Sequence, residues 1–292
     1  MDSTDPRIGD LLKVLELERL EVNLFRGQSQ DVGSPQVFGG QVLGQALRAA
    51  SATVAEERMV HSLHAYFLRR GDCSAPIVYD VDRSRDGKSF TSRRVVAIQH
   101  GAQIFNMAAS FQVAEPGFDH QIPMPEVPPP EDLPDATAPL RELLKTMPER
   151  LPERVRRFIE TPRAFEFRVV QEVNYLQPRR APPLRQVWFR AVGRVPDDET
   201  LHRCLLAYVS DFYLLDTATL PHGTTFLSNK LIMASIDHAM WFHRPLRVDE
   251  WLLYALDSPS ASGARGFARA NVFASDGRLV ASTAQEGLVR VA

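Results

Sequence analysis

The chain lacks most of the features that would announce a chemistry on their own. Its 292 residues include only two cysteines, Cys73 and Cys204, far apart and with neither CxxC nor metal-ligand spacing. Both read as free thiols in a reducing compartment. No apolar run approaches the roughly 20 residues needed to cross a bilayer. The opening stretch, Met1 to Asp10, is acidic and polar rather than basic-then-apolar as in a secretory leader. The closing Arg290-Val291-Ala292 spells no peroxisomal address of the Ser-Lys-Leu type. A cytoplasmic protein without a membrane span is the expectation. Charge of neither sign prevails: 34 basic and 36 acidic side chains leave a net −2, which disfavours nucleic acid as a partner. Also missing are the Gly-x-Ser-x-Gly elbow, the Walker A loop, Gly-x-Gly-x-x-Gly and His-Glu-x-x-His. The eight histidines do not cluster at metal spacing, and His238 and His243 read as polar strand residues near a turn. Neither a metal nor a cofactor is expected.

What is present is the composition of an ordinary globular chain, 44% hydrophobic and 24% charged, long enough for two domains. A stretch rich in proline and acidic residues, 116–164, divides it. Its core, Ile122-Pro-Met-Pro-Glu-Val-Pro-Pro-Pro-Glu-Asp, can continue neither a helix nor a central strand. A short helical pattern follows (Leu140, Leu143, Leu144), interrupted by Pro148 and Pro152. This segment reads as a surface connector without a function of its own.

On either side, residues 1–115 and 165–292 repeat one order of parts. An apolar stripe at helical spacing, Gly39-Gly40-Gln41-Val42-Leu43-Gly44-Gln45-Ala46-Leu47, is answered by Leu205-Leu206-Ala207-Tyr208-Val209-Ser210-Asp211-Phe212-Tyr213-Leu214-Leu215. His61 to Phe67 is answered by Ser235 to His243. Paired segments then follow around glycine turns, Asp86-Gly87 and His100-Gly101 in the first half, Ser262-Gly263 and Asp276-Gly277 in the second. The spacing agrees to within a few residues, as an internal duplication requires. Each unit reads as a helix and several antiparallel strands, an α+β class. Wrapping each sheet around its helix and joining the two sheets at their edges hides both apolar faces and removes sheet edges.

Differences between the copies single out residues. Ser210-Asp211 stands where the first copy has Gly39-Gly40, placing a carboxylate in an apolar run. Such a group must be hydrogen-bonded or have a raised pKa. It is either a cap or core hydrogen-bond partner, or a general base. On the last strand Gln285 answers Ala109 or Ser110; its amide suits holding a water or an oxyanion, although an exposed strand glutamine has the same signature. Ser235 could complete a water-binding trio, but Ser62 answers it in the first copy. Arg265 and Arg269 read as solvated strand arginines.

The runs Val37-Phe38-Gly39-Gly40-Gln41, Asp237 to Pro245, Ser260 to Phe267 and Ala284-Gln285-Glu286-Gly287 resemble the type II acyl-CoA thioesterases over nearly the whole chain. The resemblance implies a double hot-dog, two sheets each wrapped around a long helix. It implies a catalytic trio at Asp211, Ser235 and Gln285, the family accepting threonine or serine at the Ser235 position. That trio would hold a water attacking an acyl-CoA thioester directly, without a covalent acyl-enzyme. A homo-oligomer is implied as well. Two rivals remain: a hot-dog hydratase or dehydratase, which pairs an acidic residue with a histidine, and a non-catalytic acyl-CoA-binding protein.

Overall fold

A computed structural model describes residues 5–34, 36–151, 153–171, 177–228 and 230–291. In chain order it forms α1 (Pro6–Leu15), β1 (Glu18–Glu21), β2 (Leu24–Gly27), α2 (Gly39–Ser51), β3 (Arg58–Phe67), β4 (Ile77–Asp86), β5 (Phe90–Gln99) and β6 (Ala102–Val113). The connector holds α3 (Ala138–Thr146) and α4 (Glu153–Glu160). The second half contributes β7 (Phe165–Val169), β8 (Leu184–Ala191), α5 (Glu199–Val209), β9 (Leu231–Ser235), β10 (Asp237–Phe242), β11 (Leu252–Ser262), β12 (Arg265–Ala274) and β13 (Leu279–Val291). Among the described residues no helix is long and apolar enough to cross a membrane.

The strands form one antiparallel sheet in the order β1-β2-β4-β5-β6-β3-β10-β13-β12-β11-β8-β7, with β9 also on β13. β3 and β10 join the halves, and His64 lies opposite Ala239 at the centre of that seam. Alternation decides which face is buried: in β5 the inward residues Arg93, Val95 and Ala97 are at most 2% exposed, while Arg94 points out. His100-Gly101 and Gly263-Ala264 turn their hairpins with two successive positive φ values each, as two-residue hairpin loops demand. This is the double hot-dog architecture.

Inside the curled sheet α2 and α5 lie antiparallel and almost wholly buried. Gly40 and Gly44, one turn apart on α2, meet the carbonyls of Tyr208 and Cys204 on α5. A Cβ on Gly40 would sit 2.1 Å from the Tyr208 oxygen, so the close approach of the helices depends on that glycine. Cys204 is buried at this contact, a free thiol pushed up to about 12 by burial and so unfit as a nucleophile.

Three sequence expectations need correction. Ser210-Asp211 is not the counterpart of Gly39-Gly40: α2 begins at Gly39, whereas Ser210 and Asp211 follow the end of α5, and the antiparallel packing sets the two pairs face to face. Nor does the spacing agree throughout, since residues 52–57 link α2 to β3 while residues 210–230, including a 3-10 helix at Leu215–His222, link α5 to β9. Finally, the connector is more than a tether. α3 and α4 close on each other through Leu140, Leu151, Val155 and Ile159, with Leu227 of the second half packed against them.

Candidate active site

The three residues singled out in the second half reach one point from three elements. Asp211 lies just past the capping Ser210 of α5, Ser235 ends β9, and Gln285 lies in the middle of β13. Gln285 Nε2 donates to Asp211 Oδ1 at 2.8 Å and to Ser235 Oγ at 3.0 Å, while the serine hydroxyl lies 3.4 Å from the same carboxylate oxygen. Both amide hydrogens of Gln285 are thereby spent behind the carboxylate and the hydroxyl. Its Oε1 is buried without a partner, a cost of about 1–3 kcal/mol that a purely structural glutamine would be expected to avoid.

Asp211 keeps some surface and lines a cavity. Burial raises its pKa from 3.8 to about 6, against the opposing pull of the Gln285 amide, the Gly40 N–H and the Ser235 hydroxyl. The Gly40 amide belongs to the N-terminus of α2, so the positive pole of the first repeat's helix faces the acidic group of the second. Gly39 is packed so closely here that an added Cβ would come within 2.7 Å of Asp211 Oδ2.

The cavity has a volume of about 430 Å³, within the range of small-molecule sites. Aromatic rings of Phe38, Phe167, Tyr208 and Phe212 pack around it, and Met233 and Leu227 add to its apolar wall. The connector supplies Leu140 and Val155, so this segment roofs the site. Sequence reading missed that role because proline-rich composition speaks only of the backbone, not of what a packed segment covers. It also missed Tyr213, two residues after Asp211 and in the left-handed region at φ +64°, which turns the chain away from the helix axis and lines the same cavity.

Arg265 and Arg269 lie elsewhere, in surface pairs with Glu286 and Asp257. His243, just past the end of β10, is exposed and meets Ser282. His238 is a strand residue, on β10, and is completely buried beside Ser210 and Thr283. Among the described residues no three His, Cys, Asp or Glu side chains converge as a metal site would need.

Comparison with known proteins agrees in both halves. Residues 159–288 match the profile of the acyl-CoA thioesterase family and residues 27–112 that of an acyl-CoA thioesterase N-terminal domain. The chain is 44% identical to acyl-CoA thioesterase 2 of Haemophilus influenzae, covering 97% of this chain and 98% of that one. It is 42% identical to acyl-coenzyme A thioesterase 8 of Homo sapiens, over 99% of this chain and 93% of the other. Among solved structures, acyl-CoA thioesterase II TesB2 of Mycobacterium marinum superposes with a TM-score of 0.78 at 42% identity, covering 97% and 98% of the two chains. A hot dog fold protein of Alicyclobacillus acidocaldarius, 19% identical with a TM-score of 0.75, shares the fold. With relatives this similar along their full length, the chain belongs to the acyl-CoA thioesterase family of hydrolases.

Proposed function

We propose that this protein hydrolyses fatty acyl-CoA to free fatty acid and coenzyme A, by direct attack of a water held at Asp211, Ser235 and Gln285. The observation that carries this reading is the cavity-facing carboxylate itself, raised to about 6 and fixed from behind by an amide and a hydroxyl. Near neutral pH such a group is ionised yet more basic than an ordinary aspartate, which suits a general base. Water bound between Asp211 and Ser235 donates a proton to the carboxylate as its oxygen forms a bond to the thioester carbonyl carbon. The tetrahedral intermediate then expels the coenzyme A thiolate, which takes up the proton. A thiolate is a good leaving group, so no strong acid is required. Gln285 fixes both partners of the water, and the positive end of α2 favours the developing negative charge.

The apolar lining suits an acyl chain. The hydratase reading loses support, because the nearby imidazole of His238 bonds to Ser210 and Thr283 rather than to Asp211. Thiol release from acyl-CoAs of several chain lengths tests the proposal, with native protein and Asp211→Asn side by side. Native turnover with a loss of at least about a hundredfold in the variant is expected for removal of a general base. No thiol from any chain length, or a variant within a few-fold of native, overturns it.

A further inference from the structure

One buried group beside the site has no part in the chemistry above. His238, on β10, is fully enclosed, and burial holds its ring neutral, with a pKa near 3. Its Nε2 lies 3.0 Å from Ser210 Oγ and 3.0 Å from Thr283 Oγ1. The other partners of the two hydroxyls point to the direction of both bonds. The Ser210 hydroxyl donates to the Ala207 carbonyl at 2.9 Å, and the Thr283 hydroxyl to the Ala239 carbonyl at 2.8 Å. Each hydroxyl has one hydrogen, already spent, so only lone pairs face the ring. Nε2 therefore carries the hydrogen and shares it between them. Nδ1 is left as a bare acceptor, and it is the ring atom without a partner. An orphaned acceptor is tolerated better than an orphaned N–H.

The positions joined in this way are telling. Ser210 immediately precedes Asp211; Thr283 stands two residues before Gln285 on β13; His238 follows Ser235 by three residues across the short break between β9 and β10. Tyr254 Oη adds a tie from β11 by donating to the Ser210 carbonyl at 2.8 Å. Asp211 has left the helix and no longer benefits from its ladder, so its placement depends on what holds Ser210. On the first repeat's side of the seam, β3 buries Val60, Ser62, Leu63 and Ala65, while His64 points outward against Trp241.

We propose that His238 is a positioning residue: its single Nε2–H, shared by Ser210 and Thr283, fixes the three segments that carry Asp211, Ser235 and Gln285 relative to one another. This rests on the reading of those three as the water-holding group. Misplacement of a catalytic group by about 1 Å can cost about a hundredfold in rate, whereas substrate binding, made by the cavity walls, is left alone.

The test compares native protein with His238→Leu, which fills much of the space without any N–H, and His238→Gln, whose amide N–H can take the place of Nε2–H. His238→Leu is expected to lose about ten- to a hundredfold in kcat with KM within about twofold, and His238→Gln to stay within about threefold of native. A leucine variant with native kcat, a loss confined to KM, or equal losses in both variants overturns the proposal. Should the leucine variant not fold, Ser210→Ala and Thr283→Val take its place. Each lowers kcat at unchanged KM, and the double variant loses less than the product of the two, because both act through one N–H. Multiplicative losses, or no loss in either, count against it. Asp211→Asn, run alongside, separates the two ideas. If it abolishes turnover while His238→Leu does not, only the positioning role falls; if it leaves turnover intact, the reading beneath it falls as well.

Discussion

At the scale of the residue, Asp211 ties activity and stability to pH in opposite senses. Its pKa in the fold, about 6, lies above the ordinary 3.8, so the folded chain binds this proton more tightly than the unfolded one. The stability it contributes is therefore complete below about pH 4 and is lost as pH rises through 6. Keeping the group ionised in the fold costs at most about 3 kcal/mol at pH 8. Asp211→Asn, inactive as a base, is expected to be more stable than native protein in urea titrations at pH 8, by no more than that amount, with the gap closing by pH 4. Native kcat is expected to fall about tenfold for each pH unit below 6 as the base takes up its proton. Equal stabilities at pH 8, or an acid limb centred near 4, would show that the carboxylate is not held as described. That Asp211 is out of place in an apolar run is legible in the sequence. Its real situation is not, because being past the helix end and against another helix's N-terminus depends on packing between residues some 170 positions apart.

At the scale of the element, the two central helices are specified by their apolar stripes, but their distance is set by glycine. Gly39 and Gly40 sit side by side at the start of α2 and do different things. An added Cβ on Gly40 meets a backbone carbonyl at 2.1 Å, which no side-chain rotation relieves, so the helices must part. Gly40→Ala is expected to cost on the order of 3 kcal/mol or more of stability. On Gly39 the Cβ meets Asp211 Oδ2 at 2.7 Å and the Phe67 ring at 3.1 Å. Both of these are ends of side chains and can move, and alanine is the better helix former. Gly39→Ala is therefore expected to keep its melting temperature within a few degrees while losing about ten- to a hundredfold in kcat through displacement of the carboxylate. Melting curves and turnover for the two variants decide the matter; indistinguishable behaviour would refute this division of labour. The doubled glycine and the difference between the repeats are visible from the chain alone. Gly39-Gly40 and Ser210-Asp211 match in distance from the following strand pattern but not in place on the helix, because residues 210–230 lengthen the second copy between helix and strand.

At the scale of the molecule, the repeat, the α+β class and the wrapped sheet follow from hydrophobic period and glycine turns, which are local signals. How the connector is used is not local, and its two parts have opposite burdens. Residues 138–160 carry the small cluster around Leu140 and Val155 that roofs the cavity, and Arg157 pairs with Asp31 of the first half. The preceding stretch is extended and open to solvent, with Phe118 fully exposed. It is fastened mainly downstream of that residue, where Arg244 pairs with Asp119, Gln121 bonds both ways with Gly277 and Leu279, and Trp188 Nε1 donates to the Pro128 carbonyl. Nothing that shapes the cavity depends on the chain being continuous at Phe118. The halves are held instead by the β3–β10 ladder and by the contact of α2 with α5. Brief chymotrypsin treatment is expected to cut first after Phe118, as exposed tips and extended segments are the favoured sites of nicking. The nicked protein should elute at the size of the intact one and retain most of its thiol-releasing activity. Fragments that separate on a sizing column without denaturant would mean that the seam between the repeats is too weak to hold the two helices, and with them the site, in register.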